Sequence, residues 1–137
     1  MTDENAKQAI AEELSRAQQA WDAADLLRQN GLFQDAVSRL YYYTLYHVRA
    51  ALISVGHEPR SHSGALRLLG LHLVKTGRLP PADAHVFSKL MKYREEADYN
   101  PSHPFSSEDL EAMAQEARRL AGRVTGLLDD GGWLVDD

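Results

Sequence analysis

Apolar residues recur every three or four positions along nearly the whole chain, and no stretch keeps the strict alternation of a half-buried strand. The first apolar stripe runs from Ile10 to Leu27, and Gly31 follows it as a left-handed helix stop. The second stripe begins at Phe33 and closes at Gly56. Because only a very short turn separates these two long helices, we expect them to pack antiparallel.

Three further helices are predicted beyond this pair. Ser61 or Ser63 can cap a third helix, which ends near Gly77. Pro81 opens a fourth, since proline is tolerated in the first turn of a helix. Ser106, with an acidic residue three positions later, has the form of a capping box for a fifth. The pattern therefore predicts an all-α fold, an up-and-down bundle of about five helices.

The length of 137 residues suits one domain with a single core. We predict that this bundle spans residues 1–130 and that residues 131–137 form an acidic C-terminal tail. In the tail, Trp133 and two apolar neighbours lie between acidic pairs. Such a segment either frays or docks into a groove, on its own bundle or on a partner.

Composition excludes several classes of protein. The chain has no cysteine, so it has neither a disulfide framework nor a thiolate metal site. It also lacks a signal segment and any run of about 18 apolar residues, so we expect a cytoplasmic protein with no membrane partner. Its six histidines include no pair four positions apart. We therefore expect no metal site and no cofactor.

The net charge of −5 is distributed unevenly along the chain. Residues 57–94 carry seven basic and two acidic side chains, whereas both flanking segments are acidic. This basic island consists of Arg60, Arg67, Lys75, Arg78, Lys89, Lys92 and Arg94. It has two interpretations: it binds phosphate, or it offsets the acidic last helix across the fold.

The end of the fourth predicted helix carries the most reactive group of side chains. Arg94 and Asp98 are four residues apart, so they project from one helix face. Tyr99 follows directly, and His103 lies in a proline-flanked loop. The group is either a working site or an ordinary ion pair, which contributes only about 0.3–0.5 kcal/mol when exposed.

A tyrosine-rich segment occupies the middle of the second predicted helix. With Tyr41 on the core face, the flanks of the helix receive Arg39, Tyr42, Tyr43 and Tyr46. Aromatic faces beside a fixed cation suit a base and its phosphate. The alternative is that these tyrosines pack in the core or across a homodimer seam with a polar tip in water.

Several segments, in this order, resemble the HEPN domain (higher eukaryotes and prokaryotes nucleotide-binding domain). They are residues 31–42, Gly56, His62-Ser63-Gly64, residues 74–79 and Arg94-Glu95-Glu96-Ala97-Asp98-Tyr99. The last segment is typical of the branch with an Arg-x-x-Ala-Asp-Tyr motif. The resemblance covers about residues 10 to 128. It implies a helical bundle, usually a homodimer, and often a toxin whose antitoxin is a small nucleotidyltransferase.

Many members of this family are metal-independent endoribonucleases. In active members, a histidine follows the arginine after roughly four to six residues. Here those positions hold Tyr99, Asn100 and Pro101, whereas His103 comes after eight intervening residues. The resemblance therefore supports Arg94 as a phosphate-binding residue and leaves the general base open.

We therefore expect a homodimeric HEPN protein that binds RNA or a nucleotide in the dimer cleft. In this hypothesis Arg94 holds phosphate, Asp98 orients Arg94, Tyr99 positions or protonates, and His103 acts as acid or base. The surrounding surface would be shaped by Arg39, Tyr43, Tyr46, Lys89 and Lys92. The alternative hypothesis is a catalytically silent module that docks a nucleotidyltransferase or another protein partner.

Overall fold

The computed structural model describes residues 2–100 and 102–135, and over these residues it contains five α-helices and no strand. The helices are α1 (Asp3–Gln29), α2 (Phe33–Ser54), α3 (His62–Leu69), α4 (Pro81–Tyr99) and α5 (Ser107–Asp130). The prediction of an all-α bundle is confirmed. No helix in this part of the chain is both long enough and apolar enough to cross a bilayer.

Helix α2 is the centre of the bundle. It forms a hairpin with α1 through a turn in which Gly31 adopts a φ of 74°, a conformation that other residues rarely tolerate. The other face of α2 packs against α3, α4 and α5. Tyr41, Val48 and Leu52 are completely buried along it. Side chains on the flanks of α2 are therefore presented between neighbouring helices.

Helix α3 begins at His62 because Ser61 caps it. The Ser61 hydroxyl accepts a hydrogen bond from the Gly64 backbone N–H at 2.9 Å. A Cβ at position 64 would lie 2.7 Å from that hydroxyl, so glycine allows the close approach. The sequence left Ser61 and Ser63 as alternative caps, and the structure selects Ser61.

The third helix does not remain α-helical up to Gly77. It passes directly into a π-helical turn at Gly70–Val74, where the backbone N–H of Lys75 bonds to the carbonyl of Gly70. His72 lies in this turn, and the centroid of its ring is 3.7 Å from the centroid of the His57 ring. Apolar periodicity does not report this local change of helix type.

Two ion pairs join α4 to α5. The Asp83 carboxylate is fully buried and accepts three hydrogen bonds from the Arg123 guanidinium, two from Nε at 2.9 and 3.1 Å and one from Nη2. Lys89 donates to both oxygens of Glu116 at 2.7 and 2.8 Å. These contacts hold α4 against the last helix.

The C-terminal segment turns back onto the bundle. Trp133 and Leu134 are partly buried against the core, and the Trp133 backbone N–H bonds to the Leu128 carbonyl at 2.9 Å. Of the alternatives left by the sequence, the described part of the tail docks on its own bundle. The predicted acidic ends Asp136 and Asp137 lie outside the described residues, as does Pro101.

Candidate functional site

Arg94 lies near the end of α4 with only 14% of its side chain exposed. Its Nη1 donates to the Asp98 carboxylate at 2.9 Å, and its guanidinium carbon lies 5.2 Å from the centroid of the Tyr41 ring. The buried Nε has no hydrogen-bond partner among the described residues. The guanidinium is therefore held on one edge by a carboxylate and on one face by a phenol ring.

Tyr41 joins α2 to the start of α3. Its side chain is completely buried, and its hydroxyl lies 2.5 Å from Nδ1 of His62. Burial strongly raises the pKa of Tyr41, although the nearby Arg94 charge acts in the opposite direction. The pKa of His62 is lowered, first by burial and then by the charge of Arg94. Both groups are thus neutral at pH 7.

Tyr42 extends this group along the flank of α2. Its ring lies edge-on to Tyr41 at 5.2 Å and to His62 at 6.2 Å. The guanidinium carbon of Arg39 lies over the Tyr42 ring, 4.8 Å from its centroid, and the centroid of the Tyr46 ring is 6.1 Å from that of Tyr42. Two predicted surface residues, Arg39 and Tyr46, are thus connected to Arg94 through aromatic contacts.

We call Tyr41, Tyr42, His62, Arg94 and Asp98 the Arg94 corner. It combines a fixed guanidinium, an imidazole and an aromatic surface at the meeting point of three helices. Guanidinium and imidazole N–H groups are donors suited to a phosphate oxygen. The arrangement therefore suits recognition of an anion that carries an aromatic group.

Tyr43 is not part of the Arg94 corner. Its side chain is buried rather than exposed on a flank, with its ring 4.9 Å from Trp21 of α1 and 4.7 Å from His47. It borders a groove between α1, α2 and α5 that also contains Arg118. The expectation that Tyr43 shapes the surface around Arg94 is corrected, because α1 covers that side of α2.

His103 and Tyr99 also lie outside the Arg94 corner. His103 turns back toward α4, but its Nε2 meets the Glu96 carboxylate at 3.3 Å rather than Arg94. Its backbone carbonyl accepts a hydrogen bond from Gln34 at 3.1 Å. The Tyr99 side chain is 82% exposed at the end of α4. Among the described residues, Arg94 has a hydrogen bond with Asp98 and a ring contact with Tyr41, and neither His103 nor Tyr99 takes part in these contacts.

The basic island divides into two groups. Lys89 is paired with Glu116 of α5, as the charge-offset interpretation expects. Five other cations are exposed and form no ion pair within the described part of the chain; these are Arg60, Arg67, Lys75, Arg78 and Lys92. Most of the island thus remains available to attract a polyanion.

The contact between Tyr41 and His62 was missed by sequence reasoning. The sequence pattern predicts Tyr41 in the core and identifies His62 only as part of a motif, so it does not bring the two side chains together. Twenty-one positions separate the two residues, across the loop between α2 and α3. The sequence feature that bears on this contact is the capping serine directly before His62, because it fixes the position of His62 at the start of α3.

A family model described as the HEPN domain matches residues 10–127 of this chain. That range includes every residue of the Arg94 corner.

Curated relatives cover most of the same region. A Methanocaldococcus jannaschii protein named "Putative toxin" is 29% identical over 114 residues, 83% of this chain and 84% of the relative. A second protein of that organism with the same name is 28% identical over 107 residues, 78% of this chain and 73% of the relative. A Thermotoga maritima "UPF0332 protein" is 29% identical over 115 residues, 84% and 87% of the two chains.

Proposed function

The chain belongs to the HEPN domain family, and we propose that it is the toxin-like member of a toxin–antitoxin pair that acts by binding RNA at the Arg94 corner. Two relatives that are named as toxins support the toxin assignment. The position of Arg94 carries the RNA assignment, because its mostly buried guanidinium is fixed beside aromatic rings while Nη2 has no hydrogen bond within the described residues.

The hydrogen-bond donors of the Arg94 guanidinium that lack a partner support a phosphate ligand. Nη1 is taken by Asp98 and Nε is buried, whereas Nη2 has no hydrogen bond within the described residues. Arginine stays protonated at any physiological pH and offers planar donors to phosphate. A charge-assisted hydrogen bond of this kind contributes about 1.5–3 kcal/mol.

The surroundings favour RNA over an isolated phosphate. Tyr42 and Tyr46 present partly exposed rings next to Arg39, and unpaired RNA bases stack on such rings and on guanidinium planes. Lys92 is exposed on α4 and adds positive charge to that helix, although it lies two residues before Arg94 and so projects from a different face. A single strand lying over this surface would meet stacking groups and cations together.

The proposal includes metal-independent cleavage within a homodimer. Cleavage needs one group that removes the 2′-OH proton and another that protonates the leaving oxygen. Within one chain, His103 is engaged by Glu96, so a second copy would have to bring further groups to Arg94. Incubation of labelled single-stranded RNA with the protein in EDTA tests this step, and cleavage that persists in Arg94→Ala would contradict it.

The proposed partner is a minimal nucleotidyltransferase that acts as antitoxin. Induced expression of the chain alone in a bacterial host should arrest growth, whereas expression with such a partner should relieve the arrest. Arg94→Ala should also relieve it. Growth arrest that is unchanged in Arg94→Ala would contradict the assigned site.

The second candidate function is a non-catalytic docking module. Two observations favour it: Tyr99, Asn100 and Pro101 stand where the family's histidine would fall, and His103 lies beside Glu96 rather than Arg94. RNA that is bound but remains intact in EDTA, together with capture of the nucleotidyltransferase, would select this function.

A further inference from the structure

The hydroxyl of Tyr41 has a single hydrogen-bond partner in the described structure, Nδ1 of His62. The phenol is completely buried, so water does not offer a substitute. Because burial also keeps the phenol protonated, its O–H needs an acceptor. Nδ1 is therefore the acceptor, and the proton of the neutral imidazole resides on the other nitrogen.

This arrangement defines what His62 presents to a ligand. A neutral imidazole has one N–H donor and one lone pair, and here Tyr41 occupies the lone pair. The ring is partly exposed, and its Nε2 has no partner among the described residues. The free nitrogen is thus an N–H donor even when the ring carries no charge.

The donor lies beside Arg94. Both His62 and Arg94 contact the same Tyr41 side chain, His62 at the hydroxyl and Arg94 at the ring. Ser61 fixes the backbone of His62 at the start of α3, so the imidazole does not depend on a mobile loop. The charge of Arg94 also contributes to the lowered pKa of His62, so these donors on two different helices lie near each other around Tyr41.

We propose that His62 is a second phosphate-binding residue of the Arg94 corner and that Tyr41 holds it in the tautomer that donates from Nε2. This inference rests on the proposed function, since it assigns a further residue to the same RNA site. It also assigns a role: His62 is a neutral donor rather than the general base, because its lone pair is already used by Tyr41. Tyr41 is accordingly a positioning residue.

The tautomer is tested first, without RNA. In ¹⁵N-labelled protein near pH 7, the protonated and unprotonated ring nitrogens have separate chemical shifts. We expect His62 of the wild type to be in the Nε2–H form and Tyr41→Phe to shift it toward a mixture. A wild-type ring protonated mainly at Nδ1 would overturn the inference.

RNA affinity is tested next, with a labelled single-stranded oligonucleotide in EDTA. His62→Ala should raise Kd about tenfold, as expected for loss of one hydrogen bond to a charged group. His62→Gln places an amide N–H near the Nε2 position and should recover most of that loss. His85→Gln, an exposed position on α4, is the matched control and should leave Kd unchanged.

The two proposals fail in different ways. If Arg94→Ala loses affinity but His62→Ala and His62→Gln bind as the wild type does, only the assignment of His62 is wrong. If the wild type does not bind RNA, the proposed function is wrong and His62 loses its ligand as well. Circular dichroism of each variant shows whether a loss of RNA affinity arises from unfolding. If His62→Ala is unfolded, the affinity of His62→Gln tests the assignment of His62 instead.

Discussion

The guanidinium carbon of Arg94 lies 5.2 Å from the centroid of the Tyr41 ring. Because Tyr41 is completely buried between helices, this contact ties a charged group at the surface to the rigid centre of the bundle. Asp98 fixes the guanidinium from a second direction. A cation restrained in this way loses little conformational freedom when it binds an anion, which favours affinity.

Asp98 should have two separable effects on RNA binding. Asp98→Asn keeps an oxygen that accepts from Arg94 but removes a negative charge next to the phosphate, so Kd should fall by about threefold at low salt. Asp98→Ala removes the acceptor as well, so Arg94 becomes mobile and Kd should rise relative to Asp98→Asn. Fluorescence anisotropy measures both. Equal affinities for the two variants would contradict an orienting role.

The ion pair between Asp83 and Arg123 should be important for stability. Arg123→Met leaves a fully buried carboxylate without its partner, which should lower the free energy of unfolding by about 3 kcal/mol. Urea denaturation followed by circular dichroism measures this loss. Lys89→Met is the matched control, because it removes a partly exposed partner of Glu116 and should cost less than about 1 kcal/mol.

The helices followed from local chemistry and were therefore predictable. Ser106 and Asp109 form the capping box that the sequence indicated, with both reciprocal hydrogen bonds present. The Arg94–Asp98 pair also follows from helical spacing. The contact of Tyr41 with His62 depends instead on the path of the loop between α2 and α3, which no periodic pattern encodes. The burial of Tyr43 likewise depends on how α1 covers α2.

Stability should decrease on acidification through His47. Burial lowers its pKa below the ordinary 6.5, although its hydrogen bond to the Tyr43 carbonyl acts in the opposite direction. Between the ordinary and the lowered pKa, the unfolded chain binds a proton that the folded chain does not. The free energy of unfolding should therefore fall as pH drops below about 6.5. The pKa values of His62 and His72, both partly exposed, are also lowered, so these residues also make the protein less stable as pH falls.

Urea denaturation between pH 5 and pH 8 measures this dependence. His47→Gln should flatten the slope of unfolding free energy against pH, whatever its effect on the absolute stability. The exposed His85→Gln should keep the wild-type slope. A slope unchanged by His47→Gln would show that the acid dependence arises elsewhere.

His103 should contribute little to RNA binding within one chain. Its Nε2 is engaged by Glu96 and its backbone carbonyl by Gln34, so neither faces Arg94. His103→Ala should change Kd by less than about twofold, the range expected for a side chain outside the contact. If RNA is cleaved, loss of cleavage in His103→Ala at unchanged Kd would show that a second copy brings this histidine to Arg94.

The most direct test of the Arg94 corner is the Kd for single-stranded RNA in EDTA at fixed salt, compared between Arg94→Ala and Arg78→Ala. Both variants remove one positive charge of the basic island, but Arg78 is exposed in the turn before α4. We predict that Kd rises at least about tenfold in Arg94→Ala and less than about twofold in Arg78→Ala. Equal losses in the two variants would contradict a phosphate site at Arg94, because only the overall charge would then matter.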